Sequence, residues 1–144
     1  MPKPLRTQFV IADGGRARWV RRSPDADDFV TTRELQSAAP SHGPPQGVVF
    51  ASAGGPRSTV QEKRSQAQER RLHFSGVIAD ELNAQAAAHA FERLAIVAPA
   101  RVLSAISQRL SPAAAAKLVR ALPKDLTKTP DHQLGAWLRP LERG

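Results

Sequence analysis

Leu94-Ala95-Ile96-Val97-Ala98-Pro99 decides how the rest of the chain reads. Leu94 to Val97 is an apolar run without polar alternation, which suits a strand buried on both faces. Pro99 cannot continue a sheet ladder and sits where a new helix starts. A strand of that kind belongs at the centre of a sheet with helices packed on it. Before it, Phe74, Ile78, Leu82 and Ala86 recur at every fourth position, with Val77 and Ala79 widening the stripe. That is the period of a long amphipathic helix, and the Ala-rich segment Asn83 to His89 extends it. After it, Val102, Leu103, Ile106 and Leu110 form the stripe of a second helix. Ser111-Pro112 is an N-cap with proline at the first helical position, opening a short helix from Ala113 to Lys117. Leu118-Val119-Arg120-Ala121-Leu122 reads as a strand because Pro123 and Asp125 end it abruptly. Thr129-Pro130 repeats the cap-plus-proline signal ahead of a closing helix carrying Leu134, Trp137, Leu138 and Leu141.

Residues 1–7 read as a flexible basic tail. Gln8-Phe9-Val10-Ile11-Ala12 is of strand type, Asp13-Gly14-Gly15 is a turn signal, and Arg16 to Arg22 resumes as a strand. Its alternation puts Ala17, Trp19 and Arg21 on one face and Arg18, Val20 and Arg22 on the other. Phe29 to Leu35, β-branched in part, is a third strand. The order is therefore β-β-β, long loop, α-β-α-β-α. A right-handed crossover through the long helix makes the fourth strand parallel to the first. The expectation is one α/β domain over residues 8–142, a mixed five-stranded sheet flanked by helices, with a long flexible loop at about 36–60.

Composition limits the function classes. The chain has 144 residues, 41% apolar, enough for a single core without staples. No cysteine is present, so disulfides and thiolate metal sites are excluded. The four histidines, His42, His73, His89 and His132, have no metal-ligand spacing. No apolar run is long enough to span a membrane, and the first residues lack the apolar core of a signal peptide, so a cytoplasmic location without membrane insertion is expected. The net charge of +8 favours polyanionic partners through long-range attraction.

The working surface is expected between Gly47 and His89. Gly54-Gly55-Pro56 lacks the third glycine of a dinucleotide loop and the Gly-Lys-Ser/Thr of a P-loop. Just beyond it come Arg57, Lys63, Arg64, Arg70 and Arg71. On a helix, Lys63/Arg64 and Arg70/Arg71 lie seven apart and share a face two turns from each other, a spacing that tracks a phosphate backbone by charge. Glu62 and Glu69 beside them suit an ion-paired solvated face instead. Asp13, Asp80, Glu81 and Asp125 are scattered carboxylates. They hold Mg²⁺ only if strand ends converge; otherwise Asp13 and Asp125 are turn residues, and Asp80 and Glu81 lie on a solvated helix face. Trp19 and Trp137 have rings suited to stacking on bases, but their amphipathic setting favours the core. No catalytic residue, resident metal or cofactor is legible.

Phe9-Val10-Ile11-Ala12-Asp13-Gly14-Gly15-Arg16-Ala17-Arg18 resembles the opening of the bacterial family called "protein required for attachment to host cells". The later segments agree in order: Phe74 to Leu82, Leu94 to Leu103, and Lys124-Asp125-Leu126-Thr127. That family is in turn similar to the middle domain of archaeo-eukaryotic class I release factors and Pelota, an RNase H-like α/β domain with a long loop running into a long helix. The resemblance implies a translation-related, ribosome-associated or RNA-binding role, with rRNA or tRNA as partner. In release factors the loop carries Gly-Gly-Gln, which assists water attack on peptidyl-tRNA. Here Gly54-Gly55 are followed by Pro56, which has neither side-chain amide nor backbone N–H, and hydrolysis by that route is not implied. The family name also implies a second reading, a cytoplasmic protein-interaction or regulatory factor affecting attachment. A third is a metal-dependent RNase H-like hydrolase using Asp13 and Asp125.

Overall fold

A computed structural model describes residues 6–23, 28–37 and 60–142. The strands are β1 (Thr7–Ala12), β2 (Arg16–Arg22), β3 (Phe29–Gln36), β4 (Arg93–Val97) and β5 (Leu118–Leu122). The helices are α1 (Val60–Ala87), α2 (Ala100–Arg109), α3 (Pro112–Lys117) and α4 (Gly135–Glu142), with a 3₁₀ turn at Asp131–Gln133. One open sheet has the order β3-β2-β1-β4-β5. β1 and β2, and β2 and β3, are antiparallel, whereas β1–β4 and β4–β5 are parallel. The α/β class, the five-stranded mixed sheet and the parallel β1–β4 pair all match the pattern read from sequence.

Apolar residues on both faces of the central strands create two cores. On one side Val10, Ala12, Trp19, Leu94 and Ile96 meet Phe74, Ile78 and Leu82 of α1 and Val102 and Ile106 of α2. On the other, Phe9, Ile11, Val20, Phe29, Ala95 and Val97 meet Leu126 and, from the closing segment, Leu134 and Leu138. Val10 pairs in register with Ile96 and Ile11 with Val97, so neighbouring strands present their side chains in step.

Polar groups fasten the elements to one another. The buried Arg18 sends its guanidinium to the carbonyls of Leu126 (3.0 Å) and Thr129 (2.6 Å) and to the Asp131 carboxylate (2.5 Å). Asp131 also accepts from the Thr31 hydroxyl (2.6 Å) and backbone N–H (3.0 Å), closing part of the outer edge of β3. Burial pushes the Asp131 pKa upward, but the Thr31 hydrogen bonds and Arg18 outweigh it and hold it below the ordinary value. The Asn83 amide clasps the α2–α3 junction, donating to the Arg109 carbonyl and accepting from Ser111 N–H. α1 ends with His89 at φ 57°, its N–H bonded to the Ala86 carbonyl and that of Ala90 to Gln85. This is the Schellman arrangement, with histidine where glycine is usual.

Several expectations are corrected. β1 opens at Thr7, and Arg6 forms an ion pair with Glu92, so the last two residues of the expected tail belong to the fold. The turn expected at Asp13-Gly14-Gly15 is present without positive φ, held by the Asp13 carboxylate, which accepts from Gly15 and Arg16 N–H, both at 2.7 Å. Thr129 does not cap a helix: Pro130 is the capping position of the 3₁₀ turn Asp131–Gln133, and the Thr129 carbonyl accepts from Arg18. Trp19 is buried, but Trp137 is 39% exposed beneath the Lys124 ammonium, 4.4 Å from the ring centroid. Val77 is also 39% exposed, on the margin of the α1 stripe.

Leu82 is fully buried between α1 and the sheet, and Leu82→Ala should cost about 2–5 kcal/mol, read from urea unfolding. Hydrogen bonds from the Arg6 side chain and backbone lower the Glu92 pKa from 4.5 to about 2. A depressed carboxylate contributes stability above its unfolded value and loses it as pH falls through the folded one. Melting temperatures should therefore drop between about pH 4.5 and 2, and Glu92→Gln should flatten the profile in that window.

Candidate functional site

α1 is 28 residues long; among its residues of described burial, none from Ser65 to His73 is buried and burial begins at Phe74. The stretch from Ser65 to His73 is therefore an overhang outside the core, about 14 Å long at 1.5 Å per residue. Lys63 and Arg64 precede this stretch on the same helix. Gly54, Gly55, Pro56 and Arg57 lie outside the described residues.

Arg70 and Arg71 are both exposed, and neither has an ion-pair partner among the described residues. They do not share one patch. Consecutive helical residues diverge by about 100°. Arg70 accordingly lines a concavity with Ser37 at the end of β3, together with Gln66, Glu69 and His73. Arg71 turns to the other side, where Gln68, Leu72 and Ser75 face Arg101 and Val102 of α2. A Cβ placed on Gly14 would come within 2.5 Å of Cγ and Cδ of Arg71, so the aliphatic stem of Arg71 lies directly over the β1–β2 turn. Glycine at this position provides space for that stem.

Arg101 and Arg109 were missed in the reading of the sequence. They lie eight residues apart on α2, whose apolar stripe alone attracted notice, and only packing against α1 brings them beside Arg71 and Leu72. Arg109 pairs with Asp80 of α1 at 3.2 Å, with its guanidinium drawn across Gly76. Glu81, the neighbouring acid, pairs with Arg33 of β3. Both acids thus serve the solvated, ion-paired role, and such exposed pairs add at most about 1 kcal/mol each.

The strand ends do bring two carboxylates together. The Thr127 hydroxyl lies 3.2 Å from Asp13 Oδ2 and 2.5 Å from Asp125 Oδ1. Asp13 Oδ1 is committed to the hairpin turn, and Asp125 Oδ1 also accepts from Thr127 N–H at 2.9 Å. Among the described residues no three His, Asp or Glu side chains gather as a metal site. The turn roles account for both aspartates.

Fold and surface together define a class: an open mixed α/β sheet, helices on both faces, with one long helix whose Arg70 and Arg71 are exposed and have no ion-pair partner among the described residues. The chain belongs to the family described as "Protein required for attachment to host cells", which it matches over residues 8–138. No curated protein sequence matches it. Among the described residues no helix is long and apolar enough to cross a membrane.

Gly14→Ala should leave stability within about 0.5 kcal/mol, since the crowding atoms belong to a flexible exposed side chain. It should nevertheless shift the Arg71 side-chain resonances, with those of Arg70 unchanged, in NMR spectra of the arginine Nε–H groups.

Proposed function

We propose that this member of the host-attachment family is a non-catalytic, RNA- or ribosome-associated α/β domain acting in the cytoplasm. The observation that carries the reading is the overhang of α1, which extends exposed arginines without carboxylate partners among the described residues beyond the packed body. Lys63, Arg64, Arg70 and Arg71, with Arg57 in the preceding segment, supply the charge that phosphate groups attract. Because Arg70 and Arg71 lie on different sides of α1, the helix would be embraced by, or inserted between, phosphate backbones rather than laid flat on one strand.

The same reading relates the domain to the RNase H-like middle domain of release factors and Pelota. Its support is the strand order β3-β2-β1-β4-β5 together with a segment, residues 38–59, that leads straight into a long helix. Pro56 after Gly54-Gly55 keeps this relative from using the Gly-Gly-Gln chemistry, so the segment serves contact. A second reading, a protein-interaction factor affecting attachment, draws support from Leu72, an apolar side chain 54% exposed on the same overhang.

Co-sedimentation with ribosomes and filter binding to RNA test the first reading. Binding is expected at low salt and should weaken steeply as salt rises. Replacing Lys63, Arg64, Arg70 and Arg71 together by Gln should make the slope of log K against log salt shallower by roughly 3, if each contributes a single-strand phosphate contact. Absence of binding at low salt, or binding indifferent to salt, overturns the reading; a protein captured through Leu72 and lost in Leu72→Ser supports the second.

A further inference from the structure

Where α1 crosses α2, Gln68, Arg71 and Ser75 face Arg101 and Val102 around a concavity of about 50 Å³. It opens through Leu72, Arg101 and Ala105 into a wider groove of about 450 Å³ that ends at Arg109. The charges along this groove are not equivalent. Arg109 is neutralised by Asp80. Arg71 and Arg101 line the small concavity with no carboxylate among its lining residues, and neither guanidinium has a hydrogen-bond acceptor among the described residues.

Two like charges facing one small space repel each other, and an anion between them reverses the sign of that interaction. The packing of α1 on α2 places the backbones of both arginines at this concavity. The Arg71 stem rests on Gly14, and its carbonyl accepts from the buried Ser75 hydroxyl at 2.8 Å. Arg101 is the second residue of α2, whose backbone is fixed by burial of Val102 and Ile106. That helix has no acidic residue in its first turn and no side-chain cap, so its positive end adds to the field without an internal anion to offset it. Gln68 offers an amide donor to the same space.

We propose that Arg71 and Arg101 together grip one phosphate group in the cleft between α1 and α2. Guanidinium forks match phosphate oxygens in bidentate fashion, and the small inner concavity suits a single compact oxyanion, with Gln68 completing its hydrogen bonds. The wider groove beyond, floored by Gly76 and Ala105 and flanked by Leu72, leaves room for whatever the phosphate is attached to. The phosphate comes either from an RNA strand or from a free phosphate or phosphomonoester. The proposal rests on the phosphate-binding reading of α1 and narrows it to two residues, one of them on another helix.

The test uses the full chain as wild type, Arg101→Gln, Arg101→Lys and Arg70→Gln. The last removes the same charge from the opposite side of α1. Inorganic phosphate is titrated while arginine Nε–H resonances are followed by NMR, and a short single-stranded oligoribonucleotide is titrated by fluorescence anisotropy at low salt. Phosphate should shift the Arg71 and Arg101 signals and leave Arg70 unmoved. Arg101→Gln should weaken oligoribonucleotide binding about tenfold, more than Arg70→Gln does, with an unchanged melting temperature. Arg101→Lys, which keeps the charge but loses the fork, should also weaken it. Equal, small losses for Arg101→Gln and Arg70→Gln, without phosphate shifts at Arg71 and Arg101, would mean diffuse attraction. That outcome overturns the grip and leaves the RNA reading intact. Phosphate shifts at both arginines without oligoribonucleotide binding would uphold the grip, assign a free phosphate compound to it and overturn the RNA reading. Neither shifts nor binding overturns both.

Discussion

The parallel pairing of β1 with β4, buried on both faces, is the constraint on which the rest of this structure depends. Five register pairs from Thr7–Arg93 to Ile11–Val97 join the two strands, and every residue from Phe9 to Ile11 and from Ala95 to Val97 is fully excluded from water. A parallel pair cannot be closed by a tight turn, so the chain must cross over one face before returning. α1 makes that crossing. Its Phe74, Ile78, Leu82 and Ala86 are held against the sheet because they cover the face that the pairing creates. The opposite face needs its own cover, which Leu126, Leu134 and Leu138 provide.

That division of labour frees the first half of α1 from packing. A crossover needs only enough helix to span the sheet, and the residues before Phe74 exceed the requirement. Their polar character follows from having nothing to bury against. Charge on this stretch meets solvent more than the core, Arg71 excepted, whose stem rests on Gly14. α2 modifies this picture. By packing beside α1 it sets Arg101 and Arg109 along the helix, turning an exposed rail into one wall of a cleft. The acids of α1 treat the two arginines differently: Asp80 reaches Arg109, whereas Arg101 lies a further two turns away along α2 and has no such partner among the described residues.

Arg18 shows a different use of the same chemistry. Its guanidinium is withdrawn from solvent and spent on carbonyls and one carboxylate, tying β2 to the segment that leads into α4. Removing such a group leaves buried acceptors unpaired, which costs more than an exposed pair gains. Burial and saturation of its donors thus set Arg18 apart, as an architectural group, from Arg70 and Arg71, which are exposed and have no carboxylate partner among the described residues.

The sequence by itself determined the element order, the helix starting at Ser111-Pro112, the strand Leu118–Leu122 and the parallel return of β4. Each rests on local chemistry: apolar period, capping and the missing donor of proline. It also singled out Arg70 and Arg71, because charge clustering is a one-dimensional property. Only the tertiary structure decided what each of these two arginines faces: Arg70 lies beside Ser37, Arg71 rests on Gly14, and Arg101 stands across the cleft from Arg71. Thirty residues separate Arg71 from Arg101 along the chain, and no local period links them; their meeting is set by how α1 and α2 bury their stripes on one face of the sheet. The same holds for Trp137, partly exposed beneath Lys124, and for Thr129, one residue short of the capping position that Pro130 takes.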